Sequence, residues 1–334
     1  MTFTTAAPPP ATAPADTSPT EALRGAGAPA PLQVCDAART AQLLEFSALM
    51  QALTTAAHDQ AAGRLLSPER LVVPLGPLHE GGVLLSMPAT ANDIAIHKLV
   101  TVQPANAQRG LPTIHGVVTV CSAATGQPLC LLDGPEVTGR RTAAVSMLAI
   151  RHALGTVPRQ VLLIGAGVQA RHHLRALQAV FPQAQVWVRG RSSAATQAFA
   201  ASACGLHHNV QPCQADIPEG VDVVIAATTS KAPVYNLPAR PGRLVIGVGA
   251  FRPDMAEIGP RTLHGSALYA DDPAGARHEA GDLLQAGIDW VGVQSLATLL
   301  TQAPDPARPV VFKSVGTAAW DLAAGRTALA ALQA

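Results

Sequence analysis

The hydrophobic pattern changes character several times along this chain. Met1 to about Pro31 carries Ala, Pro and Thr with almost no apolar periodicity. Such a stretch buries too little surface to offset its ordering entropy and is expected to be a disordered tail. Thr40–Leu44 and Ser47–Ala62 then read as helical, with Leu49, Leu53 and Ala56/Ala57 at roughly helical spacing. Arg70–Pro74, Gly82–Met87, Ile94–Val102, Thr113–Cys121 and Pro128–Leu132 are short apolar or alternating runs separated by Pro, Gly and Asn, the pattern of a mixed or antiparallel sheet. Thr138 is the expected cap of a helix through Arg141–Leu154, ending near Gly155. Apolar runs then alternate with helical stretches, so Val161–Ile164, Gln185–Val188, Val210–Cys213, Val221–Ala226, Leu244–Val248 and Ala267–Ala270 read as strands of a doubly wound α/β domain. Val310–Phe312 and a helix from about Thr317 lie past it and can return to the first domain. The pattern therefore predicts an α/β protein with the tail at 1–31, a discontinuous α+β domain at 32–137 and 305–334, and a Rossmann domain at 138–304.

The run Val161-Leu-Leu-Ile-Gly165-Ala-Gly167-Val168-Gln169-Ala170 breaks from strand into glycines where a helix should begin. Gly165 permits the tight turn, Gly167 lets backbone approach a pyrophosphate, and the small Ala170 lets the helix pack on the sheet with its N-terminus toward the phosphates. The next strand ends in Arg189-Gly-Arg191-Ser192, where NAD enzymes place a carboxylate on the ribose 2′-hydroxyl. No acid stands there, and an arginine can bind a 2′-phosphate through charge-assisted hydrogen bonds, so NADPH is favoured over NADH. The competing reading is that Arg189 and Arg191 are solvated loop charges.

Composition narrows the partner. With 334 residues, 13% charged residues, a formal net charge of +1 and no Lys/Arg block, the chain has no electrostatic footprint for nucleic acid or an anionic membrane. Aromatic residues make up 3%, too few for a base-stacking platform. The expected partner is a small molecule. Five cysteines without C-x-x-C spacing argue against a disulfide framework and a zinc site, and no histidine pair supports a metal. With no membrane-length apolar run and no signal pattern, the expected location is the cytoplasm.

Several further segments, in order, are Ser67-Pro-Glu-Arg70, Gly81-Gly-Val-Leu-Leu-Ser-Met87-Pro, His97-Lys98, Gln103-Pro-Ala-Asn106, Arg109-Gly-Leu-Pro, Leu132-Asp-Gly134, Thr138-Gly-Arg-Arg141-Thr142-Ala-Ala and Lys313-Ser-Val-Gly316. In these the chain, after its tail, resembles the ornithine cyclodeaminase and mu-crystallin family. The resemblance implies a homodimer-forming first domain that supplies the substrate site, a Rossmann domain that supplies the nicotinamide, and a pocket between them. It also implies hydride exchange between the nicotinamide and the α-carbon of an amino or imino acid. On matching positions it implies carboxylate binding by Arg70, Lys98 and Arg141, with Lys98 also the catalytic candidate and Met87 and Phe251 lining the substrate site. Cofactor contacts are implied at Thr142, the Gly165–Ala170 turn, Arg189, Arg191, Ser192, Ala227, Thr228, Val248, Ser314 and Gly316.

By position alone, Arg70 before a strand reads as a surface charge. Lys98 lies among Ile94, Ile96, Leu99 and Val100, where a lysine needs a compensating anion or an exposed edge. Arg141 near a helix start has no local reason, since a cation there opposes the macrodipole. One departure separates activities. Cyclodeaminases carry an aspartate shortly after a glycine pair following a late Rossmann strand, whereas the matching run here is Gly249-Ala-Phe251-Arg-Pro253-Asp254. Phe251 cannot pair with an ammonium, and Asp254 could substitute only if the loop were redrawn. The expected reaction is NADPH-dependent reduction of a cyclic imino acid, Δ1-pyrroline-2-carboxylate to L-proline and also Δ1-piperideine-2-carboxylate to L-pipecolate. The alternatives are an ornithine cyclodeaminase and a non-catalytic binder of NADPH and a small ligand. His115, His172 and His173 are weaker candidates, the latter two read as near-surface or phosphate-side neighbours, and Asp321 reads on spacing as a helix-side charge.

Overall fold

The structure, a computed structural model, describes residues 31–76, 79, 81–214 and 216–334, so the tail expected over 1–31 lies outside the described residues but for Pro31. The first half begins with β1 (Gln33–Val34), α1 (Ala37–Leu43), α2 (Phe46–Ala61), β2 (Leu71–Pro74), β3 (Val83–Thr90), β4 (Ile94–Val102), β5 (Ile114–Ser122) and β6 (Pro128–Asp133). They form a six-stranded sheet in the order β1-β6-β5-β4-β3-β2, antiparallel except where β1 runs parallel to β6. In β4 the residues Ile94, Ile96, Lys98 and Val100 are buried while those between them are not, the period-two signature of a sheet with one covered face.

The helix that follows, α3 (Gly134–Ala153), starts four residues before its expected cap. Asp133 is the N-cap, accepting from the Glu136 amide at 2.7 Å, with proline in the first turn. Thr138 instead donates its hydroxyl to the Gly134 carbonyl inside the helix. The signal for this start is Asp133-Gly-Pro-Glu136, an acceptor followed by Pro and an N3 glutamate, which outcompetes Thr138 as the cap.

The second half runs β7 (Gln160–Ile164), α4 (Val168–Val180), β8 (Gln185–Arg189), α5 (Ser193–Ala203), β9 (Val210–Pro212), β10 (Val223–Ala226), β11 (Leu244–Gly247), α6 (Pro260–Leu263), β12 (Ala267–Ala270), α7 (Pro273–Glu279), α8 (Gly281–Gln285), β13 (Gln294–Ser295), α9 (Leu296–Thr301), β14 (Val310–Lys313) and α10 (Ala318–Gln333). Its eight strands pair in parallel in the order β13-β12-β14-β11-β10-β7-β8-β9. β10, β11 and β14 are buried at every position, as expected for strands covered on both faces. Strand order reverses between β7 and β10, the topological switch point where doubly wound sheets bind dinucleotides.

The chain's end divides differently from the sequence reading. β14 lies between β11 and β12 in the large sheet, so it does not join the first domain with its neighbours in 305–334. Only α10 returns, packing on β4, β3 and α2. It comes close because Gly325 has no side chain: a Cβ there would stand 3.3 Å from Ile94, Ile96 and Val120. α3 bridges the two sheets' helical layers, touching α2 and β5 on one side and α4 on the other.

The seat of α3 on the first sheet is equally tight. A Cβ on Gly134 would meet the Gly116 carbonyl carbon at 2.7 Å and its oxygen at 2.8 Å, both backbone atoms that cannot rotate away. Gly134→Ala is therefore expected to destabilise by about 1–3 kcal/mol through overpacking, more than the ~1 kcal/mol of helix propensity it gains. An unchanged urea midpoint would show that α3 can shift freely on the sheet.

Candidate active site

The glycine turn has the form its sequence predicts. Gly165 adopts φ +127° with its amide on the Arg189 carbonyl, and a Cβ there would collide with the Ala227 backbone. Gly167 is the N-cap of α4, has no neighbour within 4 Å of a would-be Cβ, and offers no side-chain cap. The first amides of this 13-residue helix are thus left for an anion, with backbone able to approach closely. Ala170 is fully buried, Val168 is exposed, and the buried Gln169 Oε1 has no hydrogen-bond partner. These features fit a dinucleotide pyrophosphate. Ala227 and Thr228 at the end of β10 and Val248 beyond β11 lie at the same edge of the sheet, while Thr142 is buried on α3.

The two arginines expected to read a 2′-phosphate differ. Arg189 is half-buried and directed at Cys213, donating to its carbonyl at 3.4 Å and its Sγ at 3.1 Å. Arg191 is exposed, beside Ser192, which caps the 11-residue α5 by accepting from the Ala195 amide.

Buried acids absent from the sequence reading shape the loops around this edge. Glu257 accepts from the Thr228 amide and hydroxyl through one oxygen and from the Gly249 and Ala250 amides through the other, joining the loops after β10 and β11. Asp282 accepts from the Glu257 and Ile258 amides and lies 2.6 Å from Lys313 Nζ, an ion pair poorly aligned as a hydrogen bond. Asp271 accepts from Ser314 Oγ, the Val315 and Gly316 amides and the Trp320 indole, locking the turn from β14 into α10. The available signal was Lys313 itself, a lysine inside an apolar strand that demands a counter-ion.

The cation positions converge on that turn. Lys98 is 3% exposed and donates to both oxygens of Asp321, at 3.1 and 2.9 Å. Arg141 Nε lies 3.4 Å from Asp321 Oδ1, within ion-pair range but not aligned as a hydrogen bond. Asp321 is fully buried, so its reading as a helix-side charge is corrected: α10 carries it inward onto β4 and α3. The Arg141 guanidinium lies on Gly316, whose φ of +78° and missing Cβ allow the approach. Arg70 donates to the Val315 and Gly316 carbonyls at 3.2 and 2.6 Å and pairs through Nε with Glu279 at 2.8 Å, so it is no free surface charge.

A cavity of about 180 Å³ opens here, lined by Arg70, Met87, Glu279, Gly316 and Thr317 among others. It is smaller than the ~300–1,000 Å³ pockets of drug-sized ligands and suits a compact one. Lys98 and Arg141 adjoin it through Met87, the cross-strand partner of Lys98, and through Gly316. Phe251, half-buried in the loop after β11, is not among its lining residues. Asp254 cannot stand in for the missing acid at Phe251: it is exposed, bound by Arg252 at 2.9 and 2.7 Å and by Lys231 at 3.1 Å, and the Arg252 contact holds its pKa down at about 2.

His172 and His173 are buried rather than near-surface. Burial lowers their pKa values to about 3 and about 4, so both stay neutral. His173 bridges Ser146 Oγ and the Gln169 carbonyl, and His172 fills the space left by Gly139, so both fasten α4 to α3. Among the described residues no group of three or more His, Cys, Asp or Glu could hold a metal ion, and no helix is long and apolar enough to cross a membrane.

A doubly wound sheet with an uncapped helix at its switch point, and a small cavity lined by Arg70 with Lys98 and Arg141 buried behind its lining, are the features of a nicotinamide-dependent enzyme of amino or imino acids. Residues 32–330 match the model of the ornithine cyclodeaminase/mu-crystallin family, and the chain belongs to that family. It is 54% identical over 305 residues to the Δ1-pyrroline-2-carboxylate/Δ1-piperideine-2-carboxylate reductase of Azospirillum brasilense, covering 91% of this chain and 97% of that one. It is 32% identical to the ketimine reductase mu-crystallin of Rattus norvegicus over 274 residues, covering 79% and 84%. Its fold matches the Δ1-pyrroline-2-carboxylate reductase of Thermococcus litoralis, solved with NADH and L-proline, with a TM-score of 0.80, 24% identity and coverage of 90% and 98%.

Burial lowers the Lys98 pKa to about 8, with Asp321 opposing that shift and Arg141 and Arg70 adding to it. Lys98 is therefore charged below about pH 8 and neutral above, so affinity for a carboxylate ligand is expected to fall as pH rises through that value. A pH-independent Kd would remove Lys98 from carboxylate binding. Asp321→Asn leaves two buried cations without their carboxylate and is expected to cost about 3–5 kcal/mol in a urea titration. A loss below about 1 kcal/mol would mean that solvent screens the cluster.

Proposed function

We propose that the chain reduces Δ1-pyrroline-2-carboxylate to L-proline and Δ1-piperideine-2-carboxylate to L-pipecolate, using NADPH. The observation that carries this reading is a small cavity lined by Arg70 and Gly316, with Arg141 against Gly316 and paired with Lys98 on Asp321 behind it, and an aromatic in place of the cyclodeaminase acid. The reductases at 54% and 53% identity point to the same pair of rings or to the smaller one.

The α4 N-terminus and the Gly165–Ala170 turn would hold the pyrophosphate, and Arg191 with Ser192 the 2′-phosphate. When bound, the nicotinamide supplies the hydride. Arg141 and Arg70 hold the substrate carboxylate, Arg70 through the Nη1 donor left over by Glu279 and the Val315 and Gly316 carbonyls, while Lys98 adds a point charge, and this fixes the imine carbon in one place. Phe251 removes the cyclodeaminase acid but lies outside the cavity lining, so the apolar contact to ring methylenes falls to Met87. Asp321 neutralises part of the cation cluster so that Lys98 and Arg141 can be buried before any ligand arrives.

The working unit in this reading is a homodimer. Leu71, Ser86, Leu99 and Val117 are successive cross-strand partners on the outer face of the first sheet, and Leu71, Leu99 and Val117 are exposed at 61%, 37% and 43%. An uncovered apolar sheet face of this kind suits a second copy. Five free cysteines fit a reducing cytoplasm. The family analogy suggests a role in proline or trans-3-hydroxy-L-proline catabolism, where a dehydratase would generate the pyrroline.

The test is NADPH oxidation with each cyclic imine, alongside ammonia release from L-ornithine. Imine-dependent oxidation without ammonia is expected; ammonia and proline together would instead mark a cyclodeaminase, and binding without turnover a ligand-holding protein. Arg191→Ala should weaken NADPH by roughly ten- to a hundredfold and leave NADH unchanged, since a charge-assisted pair contributes about 1.5–3 kcal/mol. Equal use of both cofactors by the unaltered protein would refute the NADPH preference.

A further inference from the structure

Reducing a ring imine needs a proton on nitrogen as well as a hydride on carbon, and the carboxylate-binding cations cannot both hold the substrate and give up their charge. We propose that Glu279, the last residue of α7, is the acid that protonates the ring nitrogen. The assignment rests on the imine-reduction reading above. Glu279 lines the cavity, and its Oε1 is fixed by Arg70 Nε at 2.8 Å. Its Oε2 is buried with no hydrogen-bond partner, the oxygen left over to carry a proton, and a rotation of the carboxyl would turn it to the cavity that the residue lines. In a 2-carboxy imine the nitrogen and the carboxylate share one carbon, so a group tethered to a carboxylate-binding arginine lies within reach of that nitrogen.

The surroundings favour the protonated form. Burial is the largest influence on Glu279; Arg70 opposes it, and Asp271, Asp272 and Glu69 add like-charge repulsion, leaving the pKa at about 7. His278, the adjoining residue, pairs with Glu69 at 3.5 Å rather than with Glu279. A carboxylic acid that titrates near neutrality is matched to general-acid work. The O–H bond of Glu279 breaks as the N–H bond forms. The imine carbon accepts the hydride that NADPH supplies, and the carbon–nitrogen π pair becomes the nitrogen lone pair. NADPH is oxidised to NADP+, the imine is reduced, and the Glu279 carboxylate, paired with Arg70, takes a proton from water through the cavity mouth.

Glu279→Gln keeps an acceptor for Arg70 but has no proton to give. On the parent imine it is expected to lose about 10²–10⁴ in kcat, and on an N-methyl iminium analogue, whose nitrogen already carries its positive charge, to stay within about threefold of the unaltered enzyme. The fall in activity as pH rises through about 7 should vanish in the variant, while the Lys98 effect near pH 8 remains. Equal losses on both substrates, or an inflection near pH 7 that persists in the variant, would overturn the proposal in favour of a role in holding Arg70. An infrared carbonyl band of a protonated carboxyl, present at pH 6 in the unaltered protein and missing from the variant, reads the proton without substrate or cofactor. Absence of the band overturns Glu279 as the acid; its presence in a protein that leaves both imines untouched overturns the assigned reaction instead.

Discussion

Everything on the substrate side depends on one carboxylate, Asp321, shared between Lys98 and Arg141. Burying two cations next to each other is unfavourable unless an anion lies between them, and here the anion arrives from the far end of the chain on α10. The ion cluster therefore joins β4 of the first sheet, α3 between the sheets and the helix that leaves the second sheet. Two cations on one anion leave the cluster with a net positive charge, which in the proposed reading faces the substrate carboxylate.

A second tier of buried acids does the same for the cofactor side. Asp271 gathers the Ser314–Gly316 turn, and Glu257 with Asp282 gathers the loops after β10 and β11. Loops at the ends of parallel strands have backbone amides with no strand partner, and a buried carboxylate satisfies several of them at once. Each loop is thereby held in one shape at the switch point, where doubly wound sheets bind dinucleotides.

Much of this architecture was legible along the chain because the relevant physics is local. The period-two alternation in the first sheet, the glycine turn at Gly165–Ala170 and the continuous apolar strands are read residue by residue, and each appears within a few residues of its expected bounds. Lys98 and Lys313 also signalled themselves as lysines inside apolar strands. The start of α3 was missed at Asp133 although its capping residues were present, and β14 was set with the wrong sheet because a four-residue apolar strand carries no mark of which neighbours it pairs with.

The sequence by itself determined the element types, the dinucleotide turn, the family and the absence of an acid at Phe251, since these rest on residue identity and short spacing. Only the tertiary structure decided which acids meet which cations. Asp321 and Lys98 are separated by 223 positions, and Glu279 and Arg70 by more than 200, so no local pattern couples them. A carboxylate on a helix looks the same in sequence whether its face turns to water or to a buried lysine. Packing settles that choice, because the energy of an ion pair depends on the distance and desolvation that folding creates.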